Sequence, residues 1–300
     1  MRLILLMADG AVRFPGLKVG VEHLMEGIEI FGIHISFFGM LVALSLFLGL
    51  VIAEGLARKT EQNTEDYLDL GIRVIVGGVI SARVTYIISH WSYYKFQPQE
   101  MFSLTQGGMS FLGALSAGLL ISFVYCRKRK ISWLKTCDTA LIGVVAAQII
   151  GRAGDFFSRS TLGTYSDGAL AMQVAIEDVD MQPMVMSRAS SKMFVGNFIQ
   201  VHPVFLYEII LLLLLYAVMA VVHKKQKMNG LVLAFYLIGY GMIRFATEFI
   251  RLDSVRTIGG VLSLEHLVAL LIAGFGVWVL IDCLKRQRTE LKNLPKHFFS

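Results

Sequence analysis

Arg83, Arg152, Arg244 and Glu248 lie inside or at the very ends of long apolar runs, and this constrains the chain more than any other feature. The densest group, Arg244-Phe-Ala-Thr-Glu248-Phe-Ile-Arg251, closes a run that begins near Gly230. On insertion scales an arginine at the bilayer centre costs about 2.5–3.5 kcal/mol. Such residues persist where they face a polar cavity or one another. Several arginines at one membrane depth point to a site for an anionic group, and the nearest such group in a bilayer is a phospholipid head group.

Composition supports the membrane setting. The chain has 300 residues, 55% of them hydrophobic, and a mean hydropathy of +0.64. That is too apolar for an ordinary soluble domain. A helix needs roughly 20 apolar residues to cross a bilayer. Seven runs qualify, at about 29–53, 69–91, 108–126, 133–152, 203–222, 230–250 and 262–284. The expected fold is an all-α polytopic membrane protein of about seven helices, in one membrane domain over 1–300. The Met1–Met7 run is followed by Ala-Asp-Gly, which does not read as a cleavable signal peptide.

Loop charges set the expected orientation. Arg58 and Lys59, Arg127 to Lys130 with Lys135, Lys224, Lys225 and Lys227, and five basic residues from Lys285 to Lys296 fall on one side. The other side holds fewer over far more residues. The bias places the N-terminus outside and the C-terminus in the cytoplasm. The net charge of +6 then reflects topology and anionic lipid, not nucleic acid. Cys126, Cys137 and Cys283 fall near the inner face, where no disulfide is expected. No Cys/His spacing suggests a metal, and no cofactor is expected.

Two outward segments are long. Residues 92–107 hold Tyr93, Tyr94, Phe96 and Pro98 and read as an interfacial loop. Residues 153–202 mix Gly163 and Gly168 with acidic Glu177, Asp178 and Asp180 and with Met181, Met184 and Met186. This segment joins two charged motifs, which favours a cap over the site; a plain exterior loop is the blander reading.

Four segments carry candidate chemistry. In Gly151-Arg152-Ala-Gly154-Asp155, the arginine and aspartate share a helical face, as an anion site or as a local ion pair. Arg244, Glu248 and Arg251 also share a face, as an ion-pair ladder or as phosphate-holding arginines fixed by a carboxylate. His202-Pro203-Val-Phe-Leu-Tyr207-Glu208 opens the fifth run; His202 reads as a base or a cap, and the helix dipole by itself accounts for Glu208. Gly107-Gly108-Met109-Ser110-Phe111-Leu112-Gly113 opens the third run, where small residues allow close packing or leave room for a ligand. Arg83 lies late in the second run.

These segments, in this order, resemble the prolipoprotein diacylglyceryl transferase family over roughly 29–284. The matching pieces are GGMSF at 107–111, GRAGDF at 151–156 with Gly163, HPVFLYE at 202–208 and LIGYGMIRFATEFIR at 237–251. The resemblance implies a multi-pass transferase of the bacterial inner membrane. Its substrates would be phosphatidylglycerol, or another anionic phospholipid, and the lipobox cysteine of a preprolipoprotein. The resemblance carries over Arg152, Gly163, Arg244 and Glu248; with Asp155 in the place of a family asparagine, the expected catalytic set is Arg152, Asp155, Arg244 and Glu248. Arg83, Gly163, His202, Tyr207, Glu208 and Arg251 would line the lipid site.

The chain departs from the family pattern at four polar positions, which hold Phe38, Leu112, Asp155 and Ser160. Leu112 replaces a histidine, so Asp155 or His202 is expected to serve as base. The alternative is a paralogue that keeps the lipid pocket, binds phospholipid or lipoprotein, or transfers a different lipid group.

Overall fold

A computed structural model of the chain describes residues 4–8, 11–22, 24–30, 33–102, 108–179, 190–225, 228–252, 254, 256–258 and 261–293. Gly107 of the GGMSF segment, Asp180 and the methionines at 181, 184 and 186 lie outside them. Among the described residues, seven helices are long and apolar enough to cross a membrane. They are α1 (Phe37–Lys59), α2 (Thr64–Ser89), α3 (Phe111–Arg129), α4 (Trp133–Ser158), α5 (Val204–Lys225), α6 (Leu231–Glu248) and α7 (Leu264–Asn293). Large apolar side chains stand exposed along them, among them Phe47, Leu120, Leu214 and Leu271. Apolar surface on this scale belongs in hydrocarbon. The chain is a multi-pass, mainly helical membrane protein.

Two boundaries differ from the expected runs in ways that affect the site. The first helix begins at Phe37, because Met25–Ile30 and Ile33–Ser36 pair as strands. The fourth continues to Ser158, which makes Asp155 a helical residue on the same face as Arg152. Hydropathy windows miss both, since Ile33 and Ile35 lead straight into the apolar helix and a buried aspartate ends a window early.

The chain divides into two compact units, Leu50–Gly143 and the remainder. In the first, α2 packs on α3. Ser110 caps α3 by accepting from the Gly113 amide at 3.3 Å. Arg83, buried in α2, donates to the carbonyls of Glu100, Met101 and Gly108 at 2.7, 3.1 and 3.0 Å. It thereby pins Glu100, Met101 and Gly108 to the helix.

The second unit adds strands that the sequence reading did not place. Val19–Val21, Val12–Phe14, Met172–Ala175, Phe198–Val201 and Phe194–Val195 form an antiparallel sheet in that order. Val12, Val174 and Ile199 align across it and are buried, while Gln173 donates to Gln200 at 2.9 Å on the other face. The buried face meets Leu162, Phe205 and Leu252 in one apolar cluster. Residues 172–179 and 190–201 are therefore folded, on a core shared with Leu162, Phe205 and Leu252. At the turn after α4, buried Arg159 adopts φ 51° and pairs with Glu26 and, at 2.9 Å, with Asp178.

Helices α6 and α7 pack closely through glycine. A Cβ on Gly241 would lie 2.7 Å from the Ala269 carbonyl oxygen, and one on Gly276 2.8 Å from the Ile238 amide. Only hydrogen fits at these contacts. The approach brings Arg244, one turn beyond Gly241, to the start of α7.

Candidate active site

Four elements of the second unit meet at a cluster of arginines and carboxylates. Helix α4 supplies Arg152 and Asp155, and the second turn of α5 supplies Glu208. Helix α6 brings Arg244, Thr247 and Glu248, with Arg251 just past its end. The start of α7 adds Ser263, Glu265 and His266.

Glu208 is the hub. Its side chain is 1% exposed and it joins two helices: Arg152 Nε lies 2.6 Å from Oε2 and Arg244 Nη1 lies 3.3 Å from Oε1. Thr247 also donates to Oε1 at 3.1 Å. Arg152 reaches back to Asp155 at 2.8 Å, and Thr161 donates to the same aspartate oxygen at 3.1 Å. Arg244 turns its other nitrogen to Glu265 at 3.0 Å and to Glu248 at 3.8 Å, and Arg251 Nε lies 3.9 Å from Glu248.

Glu248 is held by a helix cap. Ser263 Oγ accepts from the His266 amide at 3.3 Å, and His266 Nδ1 accepts from the Ser263 amide at 3.0 Å. This reciprocal pair is a capping box with histidine in the third position. The Ser263 hydroxyl proton is then free to point at Glu248 Oε1, 3.0 Å away. With Nδ1 accepting, the proton of neutral His266 sits on Nε2, and Phe245 and Phe249 pack edge-on around the ring.

Three arginines thus face four carboxylates. The expectation of arginines waiting for an anion needs a correction, because their charges are already balanced. Breaking a buried pair from one side costs several kcal/mol, which keeps Arg152 and Arg244 fixed in place. An incoming phosphate must share the outer guanidinium nitrogens with the carboxylates. Arginine suits this, since its planar fork serves two acceptors at once.

The remaining expected residues take other positions. Gly163 works through its backbone: its amide donates to the His202 carbonyl at 3.0 Å, and it bridges to Arg251. A Cβ there would lie 2.5 Å from the Cβ of His202. The His202 ring turns to the Tyr207 hydroxyl at 3.1 Å. Burial holds its pKa below the ordinary histidine value, with Asp167 opposing. Phe38 packs on Gly154, beside Asp155. Ser160 is exposed, with its hydroxyl 2.9 Å from that of Ser158. Arg83 and Leu112 belong to the other unit, where Leu112 stands 68% exposed. A cavity of about 350 Å³ lined by Arg13, Phe14, Lys18 and Gln173 lies on the sheet and shares no residue with the cluster.

Sequence reasoning missed Thr161, Thr247, Ser263, Glu265 and His266. Ser263 before an apolar run was a readable cap signal. The others carry no signal until the helices are packed.

The profile of the family described as prolipoprotein diacylglyceryl transferase matches residues 26–282. The chain belongs to the prolipoprotein diacylglyceryl transferase family. Among its relatives are proteins named phosphatidylglycerol–prolipoprotein diacylglyceryl transferase. The one from Finegoldia magna is 31% identical over 82% of this chain and 91% of its own length. Relatives of the same name from Clostridioides difficile and Synechococcus elongatus are 30% and 28% identical, over 81% and 85% of this chain and 88% and 85% of theirs. The family match spans all seven membrane helices up to the last turns of α7, so the arginine cluster lies inside it.

Proposed function

We propose that this chain transfers the diacylglyceryl group of phosphatidylglycerol to the lipobox cysteine thiol of a preprolipoprotein, with release of glycerol phosphate. The setting is the bacterial inner membrane, with the N-terminus outside as the loop charges favour. The observation that carries the reading is the convergence of Arg152, Arg244 and Arg251 on Glu208 and Glu248, within a chain that matches the family from end to end of its membrane region.

In this reading Arg244 and Arg251 take the phosphate through their outer nitrogens. They stabilise the negative charge that develops as the carbon–oxygen bond breaks. Arg152 and Glu208 hold Arg244 in register, and Glu248 fixes both Arg244 and Arg251. Asp155 keeps Arg152 turned inward. Gly163 and His202 join the cap to the cluster, and Tyr207 orients His202. Arg83 supports the head-group end of the other unit by pinning its loop.

Purified protein, phosphatidylglycerol and a lipobox peptide test the reading directly. The expected product is a peptide heavier by one diacylglyceryl group, linked as a thioether. Unmodified peptide across a range of pH and lipid, with the protein shown to be folded, would leave a lipid-binding paralogue instead.

A further inference from the structure

We propose that Glu265 is the base that takes the proton from the acceptor thiol. The inference rests on the transferase reading above and concerns a residue that lies outside every motif of the sequence analysis.

Accessibility carries it. Among the described residues the cluster holds four carboxylates, and a base must reach the proton it removes. Glu208 and Glu248 are 1% exposed, and Asp155 is 9% exposed with Arg152 and Thr161 on one oxygen. Glu265 is 61% exposed. It stands on the first turn of α7, among the exposed apolar side chains of Val261, Leu264 and Val268. A thiol carried in an apolar segment within the bilayer would approach along such a surface.

Placement supports it as well. Arg244 Nη2 holds Glu265 Oε2 at 3.0 Å. The group that receives the proton and the group that stabilises the departing phosphate are therefore neighbours. Both charges that face Glu265 besides Arg244, those of Glu248 and Arg251, are fixed by the cap and the α6 terminus.

The step balances without any further reactant. Glu265 takes the proton from the S–H bond. The thiolate forms the S–C bond to the glyceryl carbon, and the C–O bond to phosphate breaks with its electron pair on oxygen. Glycerol phosphate leaves as an anion and carries away the proton from Glu265.

The test compares the full-length protein with Glu265→Gln and Glu265→Asp across pH, using phosphatidylglycerol micelles and a lipobox peptide, with product read by mass. Glutamine keeps an oxygen for Arg244 and removes the basicity. At neutral pH, Glu265→Gln is expected to lose about 100-fold in turnover, the usual scale for a lost base. The gap should close as pH rises through the thiol's own pKa of about 8.5, where no base is needed. Glu265→Asp should show the same convergence with a smaller loss, and it decides the matter if the glutamine variant does not fold. A loss that is uniform across pH, or no loss, overturns the inference while the transferase reading stands. No product from the unaltered protein overturns both.

Discussion

Arg152 Nε lies 2.6 Å from Oε2 of Glu208, a carboxylate 1% exposed that also receives Arg244 and Thr247. One buried carboxylate therefore sets the position of two arginines from different helices. Glu208→Gln keeps the acceptor for Thr247 and removes the charge. It leaves Arg152 and Arg244 short of a counter-ion, at an expected cost of about 3–5 kcal/mol in stability. Thermal unfolding in detergent, beside the lipidation assay, should show a lower midpoint and a large loss of product. An unchanged midpoint would mean that the two arginines are held by other contacts.

Gly163 tests a steric argument. Its Cβ position is 2.5 Å from the His202 Cβ and 2.7 Å from the His202 carbonyl oxygen, so Gly163→Ala must push the cap away from the α6 terminus. Overpacking of this kind costs about 1–3 kcal/mol. The bridge to Arg251 would shift with it. Activity should fall more than the stability change alone accounts for. Comparison of folded fraction with turnover per folded molecule checks this.

Arg244 touches three carboxylates and offers a planar fork. Arg244→Lys keeps one positive charge but cannot serve the phosphate and Glu208 together. A loss of about 100-fold in turnover is expected, on the scale of one missing oxyanion donor. Turnover within a few-fold of the unaltered protein would show that point charge alone suffices.

The depressed pKa of His202 gives a pH dependence with a definite sign. Burial favours the neutral ring, so the folded state binds fewer protons than the unfolded one below the ordinary value of 6.5. This contribution to stability is present above that value and is lost as pH falls through the folded pKa. The unfolding midpoint should drop on acidification, and the drop should shrink in His202→Gln. Equal slopes for the two proteins would exclude His202 as the source.

Much of this architecture could be read from the residues. Periodicity is not needed to find α5, whose run from Ile209 to Val222 is apolar all round, and the charged segments lead directly to Arg152, Arg244 and Glu248. What could not be read has physical causes. The strand Ile33–Ser36 leads straight into α1 and places two isoleucines just before it, so hydropathy merges them. Glu208 had a sufficient local explanation in the helix dipole, and its role as hub appears only when α4 and α6 are brought beside α5. Ion-pair partners across the bundle are set by tertiary packing, as with Arg159, whose partners lie in Met25–Ile30 and in the cap.

The cap leaves and returns at one point. Beside the bond from Gly163 to the His202 carbonyl, the His202 amide donates to the Thr164 carbonyl at 2.9 Å, so the two ends of the excursion are zipped together. A loop whose ends are closed by its own backbone adds little entropy cost when it grows, since each doubling of length costs only about 0.6 kcal/mol. The span between Thr164 and His202 thus keeps one fixed root beside Arg251, and its strands stay packed on Phe205 and Leu252. Changes of length should be tolerated in the connections between its strands and not in the strands themselves, with the arginines beneath left in place.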